Sequence, residues 1–323
     1  MAMGPHGIRS EAHRPVVAGM HGMVCSGHPL ASLAGMSVLQ QGGNAVDAAI
    51  AVAAALNVVE PNMSGLGGDG FIMVYNRSTK QVRVMNATGP SPRRATREAY
   101  QSTGIPLKGA RSVSVPGLLS GWIQVHQALG CQSLLADFSP AIDLAERGFP
   151  VSRKLSLGLA ADPALAQFPS SRAIFTRDGV PLAAGALLVQ RDLAQTFREI
   201  AETGEESFYR GRLAKAILRA LAENDGLFVE DDLASYRARW QEPISVDYRG
   251  HTVYEAPPNS SGHVLLQILN LVEAFDLASL GPNNAESVHL LVEAKRLAFA
   301  DREVYLADPD FADVPIDGLL SKE

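Results

Sequence analysis

Cysteine is nearly absent: Cys25 and Cys131 are the only two in 323 residues. That leaves no disulfide framework and no C-x-x-C pair for a metal or a redox reaction. The eight histidines, at positions 6, 13, 21, 28, 126, 251, 263 and 289, are scattered, and no His-x-x-x-His pair stands ready for zinc. No metal is expected. Positive charge is also scarce, with 28 Lys and Arg against 34 Asp and Glu and a formal net charge of −6. The densest cationic spot, Arg93-Arg94 with Arg97, is too short to track a phosphate backbone, so a nucleic-acid partner is excluded. Long hydrophobic runs are missing too. The longest, 45–59, is broken by Asp47 and Asn57 and is too short to span a bilayer. Residues 1–18 carry Pro5, His6, Arg9, Glu11, His13 and Arg14 but no apolar signal-peptide core. No membrane partner is expected, and a reducing cytoplasm is the expected compartment.

The remaining composition, 46% apolar and 19% charged, is that of an ordinary globular protein. Length alone would suggest about two domains at ~150 residues each. The lack of a repeat, low-complexity tract or long linker favours one compact body over 1–323 instead. Pro29 suits the first turn of a helix that Gly42-Gly43 ends. Asn44 can cap the next helix, 45–58, which is apolar almost all round and should be central and buried. Residues 71–75 and 81–85 read as a β-hairpin, as do 244–248 and 252–255. Helical periodicity covers 117–129, 141–147, 188–202, 213–223, 262–275 and 286–305. Hairpins between helices predict antiparallel sheet covered by helices, not alternating β–α units.

Several motifs invite a function and fail on context. Gly65-Leu66-Gly67-Gly68-Asp69-Gly70 satisfies G-x-G-x-x-G, but a helix precedes it and a strand follows. The dinucleotide fingerprint needs the reverse order, because the following helix supplies the N–H groups for the pyrophosphate. No nucleotide cofactor is expected. These glycines are read instead as permitting positive φ and close passage of another segment. Asp308-Pro309-Asp310 with Asp313 lacks the sixth-position glycine and closing glutamate of a calcium loop, and reads as solvated loop. No G-x-S-x-G elbow is present, and Gly104 to Gly109 lacks a phosphate-loop ending.

Six spaced blocks, taken together, resemble the gamma-glutamyltransferase family of N-terminal-nucleophile hydrolases. They are Met23 to Ser32 with Gly42 to Ala49; Val59-Glu60-Pro61 leading to Ser64 through Phe71; Val115-Pro116-Gly117; Pro257-Pro258-Asn259-Ser260-Ser261-Gly262; Leu265 to Asn270; and Glu293 to Arg302 through Asp308-Pro309-Asp310-Phe311. The resemblance implies an α+β fold, an αββα four-layer sandwich completed by a small subunit cut from the same precursor, with this chain as the large subunit. It implies a self-generated N-terminal threonine as nucleophile, its own α-amine as base, and no cofactor. The threonines here, at 79, 88, 96, 103, 176, 196, 203 and 252, include no Thr-Thr-His-like cleavage sequence. No catalytic residue is therefore expected in this chain, and the nucleophile is placed on the small subunit. A dimer of large–small pairs is the assembly considered.

One departure bears on the substrate. In the family, an arginine in the segment after the first hairpin grips the glutamyl α-carboxylate. The matching stretch is Met85 to Pro92, and the arginine position falls on Thr88 or Pro90. Neither replaces a guanidinium. Thr88, Arg93 and Arg94 are the candidate substrate contacts, the two arginines as alternative cations with a surface role as the plainer reading. The expectation is a self-processed amidohydrolase acting on a small non-glutamyl amide such as oxamate, or on an acylated β-lactam. An ordinary gamma-glutamyl enzyme is the alternative, an inactive scaffold paralogue a further one, and a nucleotide-binding oxidoreductase a distant last.

Overall fold

The computed structural model describes residues 16–322. The chain divides into two compact units, each assembled from two separate stretches: 1–65 with 129–202, and 66–128 with 203–323. No described helix is long and apolar enough to cross a membrane.

The first unit is built on helices. Helix α1 (Pro29–Gln40) packs on α2 (Ala45–Val59) through small residues. A side chain at Gly35 would meet Val52 and the Ala48 carbonyl, so the two backbones approach closely. As expected, α2 is apolar around most of its surface, with Ala51, Ala54, Ala55 and Val58 fully buried. Its start is fixed by a reciprocal cap: Asn44 Oδ1 accepts from Val46 N at 2.7 Å, and the Asp47 carboxylate accepts from Asn44 N at 2.7 Å. Asp47 is wholly buried and also accepts from Cys131 N at 3.0 Å and Cys131 Sγ at 2.9 Å. Burial opposes its ionisation, but the hydrogen bonds from the Cys131 thiol and the N–H groups of Asn44, Cys131 and Gln132 hold its carboxyl below the usual range.

Helix α3 (Leu118–Leu129) runs up to that junction in sequence, and α4 (Leu134–Arg147) follows it. Helix α4 is longer than the expected 141–147, because it carries Pro140 inside it instead of starting beyond that residue. The expected helix 188–202 begins only at Arg191, forming α5 (Arg191–Thr203). Leu187 and Leu188 are instead extended and pair with Phe149 and Pro150. Phe138 of α4 and Phe197 of α5 meet edge to face, with centroids 5.1 Å apart.

The second unit carries the main sheet. Strands β1 (Phe71–Asn76) and β2 (Gln81–Asn86) form the expected hairpin, and β3 (Arg239–Gln241) adds antiparallel to β2. The register sets Asn86 opposite Arg239 and Met85 opposite Trp240. Helix α3 lies on this sheet through Gly121, where a Cβ would collide with Ala87. It also positions β3: Ser120 Oγ accepts from Ala238 N at 3.1 Å, and Gln124 Nε2 donates to the Ala238 carbonyl at 2.6 Å. A second hairpin, β4 (Ile244–Tyr248) with β5 (His251–Glu255), leads into α6 (Gly262–Glu273), which packs along α7 (Ala285–Tyr305).

The Asp47 junction yields a stability prediction. Asp47→Ala removes the acceptor of several partly buried N–H donors and should lower the unfolding free energy by about 1–3 kcal/mol, with Asp47→Asn costing less. Because the folded carboxyl titrates below its ordinary value of 3.8, its contribution is present above that pH. It is lost as pH falls through the lower folded value. Urea unfolding of wild type and Asp47→Asn at neutral pH and near pH 3 checks both magnitude and sign.

Candidate functional site

The glycine-rich turn at 65–70 is tied by main chain. Gly68 O accepts from Gly117 N and Leu118 N, both at 3.0 Å, and Gly70 and Ala87 exchange hydrogen bonds that extend the β1–β2 ladder. Close passage is therefore realised. Positive φ is not, because Gly65, Gly67 and Gly70 all lie outside the left-handed region. The tight places are further on. A Cβ at Gly89 would strike the Val115 carbonyl, and one at Gly117 would strike the Ala87 carbonyl and the Tyr236 hydroxyl. These two glycines let residues 86–90 and 114–117 run side by side, sealed by Val115 N donating to Pro90 O at 2.9 Å.

That contact fixes the segment carrying Thr88. Asn86, at the end of β2, is buried, and its Oδ1 accepts from Thr88 N at 3.0 Å and from Thr88 Oγ1 at 2.6 Å. Its Nδ2 donates to Asn259 Oδ1 at 2.9 Å, and Asn259 Nδ2 returns a bond to Thr88 Oγ1 at 2.9 Å. Two carboxamides and a hydroxyl thus close a ring joining β2 to the Pro257–Gly262 loop. Tyr236 donates to Thr88 O at 3.2 Å, and burial pushes its phenol above the usual range, so it remains a neutral donor.

This ring lines a cavity of about 300 Å³. Its other walls include Gln241 and Arg239 from β3 and the 308–311 loop that follows α7. Arg239 meets the Asp310 carboxylate through both terminal nitrogens, at 2.6 and 3.3 Å. The Asp308-Pro309-Asp310 stretch, read from sequence as solvated loop, closes one side of the cavity.

The three residues singled out from sequence fare differently. Thr88 lines the cavity. Arg93 turns away: its guanidinium pairs with Asp231 and lies 3.9 Å from Asp232, while its N–H donates to Asp232 Oδ1 at 3.0 Å. It lines a neighbouring depression with Pro90, Asp232 and Phe311. Arg94 is exposed and lines neither. The geometry adds Asn86, Tyr236, Arg239, Asn259 and Asp310, none of which sequence reasoning marked as a contact. Asn259 and Asp310 do lie within segments that carry the family resemblance. Arg239 had only the charged–aromatic–polar alternation of Arg239-Trp240-Gln241 to signal a strand.

Residues 31–323 match the gamma-glutamyltranspeptidase family, and the chain belongs to it. Over 309 residues it is 43% identical to the glutathione hydrolase-like YwrD proenzyme of Bacillus subtilis, covering 95% of this chain and 59% of that protein. Its fold superposes on Helicobacter pylori gamma-glutamyltranspeptidase with a TM-score of 0.90 at 35% identity, covering 95% of this chain and 90% of that one. It superposes equally, at 0.90 and 36% identity, on a cephalosporin acylase from Bacillus halodurans, covering all of this chain and 61% of that one. The expected fold, α+β of the N-terminal-nucleophile hydrolase type, holds in these matches. The chain spans less than two-thirds of the curated relatives' length.

Glycine substitutions test the packing that shapes the cavity. Gly89→Ala forces a side chain into the Val115 carbonyl and should cost about 1–3 kcal/mol. Gly67→Ala enters open space and should change stability by about 0.5 kcal/mol or less. Thermal melts of the two variants provide the comparison, and equal losses would contradict the close approach.

Proposed function

We propose that this chain is the large part of a self-processing amide hydrolase acting on a small non-glutamyl amide such as oxamate, cleaved to oxalate and ammonia. The threonine nucleophile belongs to the rest of the precursor. Its hydroxyl oxygen would add to the amide carbonyl, its proton passing through the α-amine to the departing ammonia. Water would then add to the acyl ester, releasing the acid and restoring the threonine. Fixed hydrogen-bond donors would carry the oxyanion in each half.

The observation that carries the substrate reading is Thr88. The family resemblance sets the arginine that grips a glutamyl carboxylate at Thr88 or Pro90, and this chain has a guanidinium at neither: Pro90 is apolar and the Thr88 hydroxyl is locked between Asn86 and Asn259. Arg93, the nearest downstream substitute, is engaged by Asp231 and Asp232. Removing a charge-assisted carboxylate contact weakens binding by about 1.5–3 kcal/mol, enough to shift preference away from glutamyl compounds. A cavity of about 300 Å³ suits a small acid amide. The relatives' names, one a glutathione hydrolase-like protein and one a cephalosporin acylase, support a family that serves more than one amide. The first of those names also favours the second reading, an ordinary gamma-glutamyl enzyme.

The test is ammonia release from oxamate by the complete, processed protein, beside product release from a gamma-glutamyl anilide. Turnover of oxamate with the anilide at least about tenfold poorer is expected. Efficient turnover of the anilide with inert oxamate would establish the second reading instead.

A further inference from the structure

A small acid amide still brings a carboxylate, and with Thr88 uncharged and Arg93 engaged elsewhere the cavity needs another cation. Arg237 and Arg239 both line it, and the sheet register singles out the second. Arg239 stands directly opposite Asn86 in the β2–β3 pairing, so both side chains leave the same face of the sheet. Both line the cavity, together with Thr88 and Asn259. The position of β3 is itself fixed, since Ala238 is held on both sides by Ser120 and Gln124 of α3.

The present partner of Arg239 is a carboxylate in the two-pronged geometry that a guanidinium offers to any carboxylate. That partner, Asp310, comes from the loop after α7, whose neighbour Phe311 is 87% exposed. The Arg239 and Asp310 side chains are both more than half exposed, at 62% and 51%. Solvent screens a pair this open, and an incoming carboxylate could take the place of Asp310 without leaving the guanidinium unpaired. We infer that Arg239 receives the substrate carboxylate, with Asp310 as its resting counter-ion and Asn86, Thr88 and Asn259 forming the wall beside it. This inference rests on the proposal that the cavity takes a small acid amide, and it makes Arg239 the specificity-determining residue for that class.

The experiment uses the complete processed protein as wild type, Arg239→Gln, Arg239→Lys and Asp310→Asn. Oxalate binding is measured by calorimetry, and KM and kcat are measured on oxamate and on its uncharged counterpart oxamide. Arg239→Gln should weaken oxalate binding and raise KM for oxamate by about tenfold or more, while leaving oxamide nearly unchanged. Arg239→Lys should recover part of the loss, because a point charge remains without the fork. Asp310→Asn removes the competitor and should bind oxalate at least as tightly as wild type. Equal losses on oxamate and oxamide would overturn the inference. So would an Asp310→Asn variant as weak as Arg239→Gln, since the pair would then be a lock on the loop. An enzyme inert to oxamate sinks the substrate proposal separately; Arg239 is then judged by oxalate titration, where unchanged affinity in Arg239→Gln refutes it.

Discussion

The Asn86 carboxamide is the point on which the candidate site depends. It ends β2, it is buried, and it spends its oxygen on Thr88 and its nitrogen on Asn259. A buried amide left unpaired would cost about 1–3 kcal/mol, so each partner constrains the others. Through Asn259 the Pro257–Gly262 loop is drawn to the sheet, and that loop leads directly into α6. Through Thr88 the chain is turned into the narrow passage where Gly89 lies against Val115. The same residue faces Arg239 across the sheet. A strand end, a helix entrance and a cation are thereby assembled from segments more than 150 residues apart in sequence.

Polar ordering of this kind recurs in the other unit, where Asp47 gathers the N–H groups of Asn44, Cys131 and Gln132. In both places a single buried polar side chain ties distant segments together, while the surrounding packing uses small residues that bring backbones close. Alanines do this between α1 and α2, and Gly121 does it between α3 and the sheet. Arg239 and Asp310, at the edge of the cavity, remain open to solvent.

Local physics made much of this legible. Asn44 as a cap, the all-round apolar helix after it and the β1–β2 hairpin each follow from signals within a dozen residues of the element. What escaped reading depends on distant partners. Strand β3 is three residues long and forms because β2 and α3 receive it, so no alternating run announces it. Leu188 fits a helical period, yet pairs with Phe149. The helical period read over 141–147 reaches back to Leu134, with Pro140 inside the helix. Thr88 was reached through the family resemblance. Asp310 lies in one of the resembling blocks but, like Arg239, was given no contact, because a lone arginine and an Asp-Pro-Asp loop look like ordinary surface until the fold sets them face to face.

The chain belongs to the gamma-glutamyltranspeptidase family, and its substrate is proposed to sit beside Asn86, Thr88 and Asn259. The most direct measurement is a crystal structure of the complete processed protein soaked with oxalate. The anion is expected in the cavity, one carboxylate on the Arg239 guanidinium and the 308–311 loop displaced from it. Oxalate bound instead on Arg93, or well away from Thr88, would contradict it.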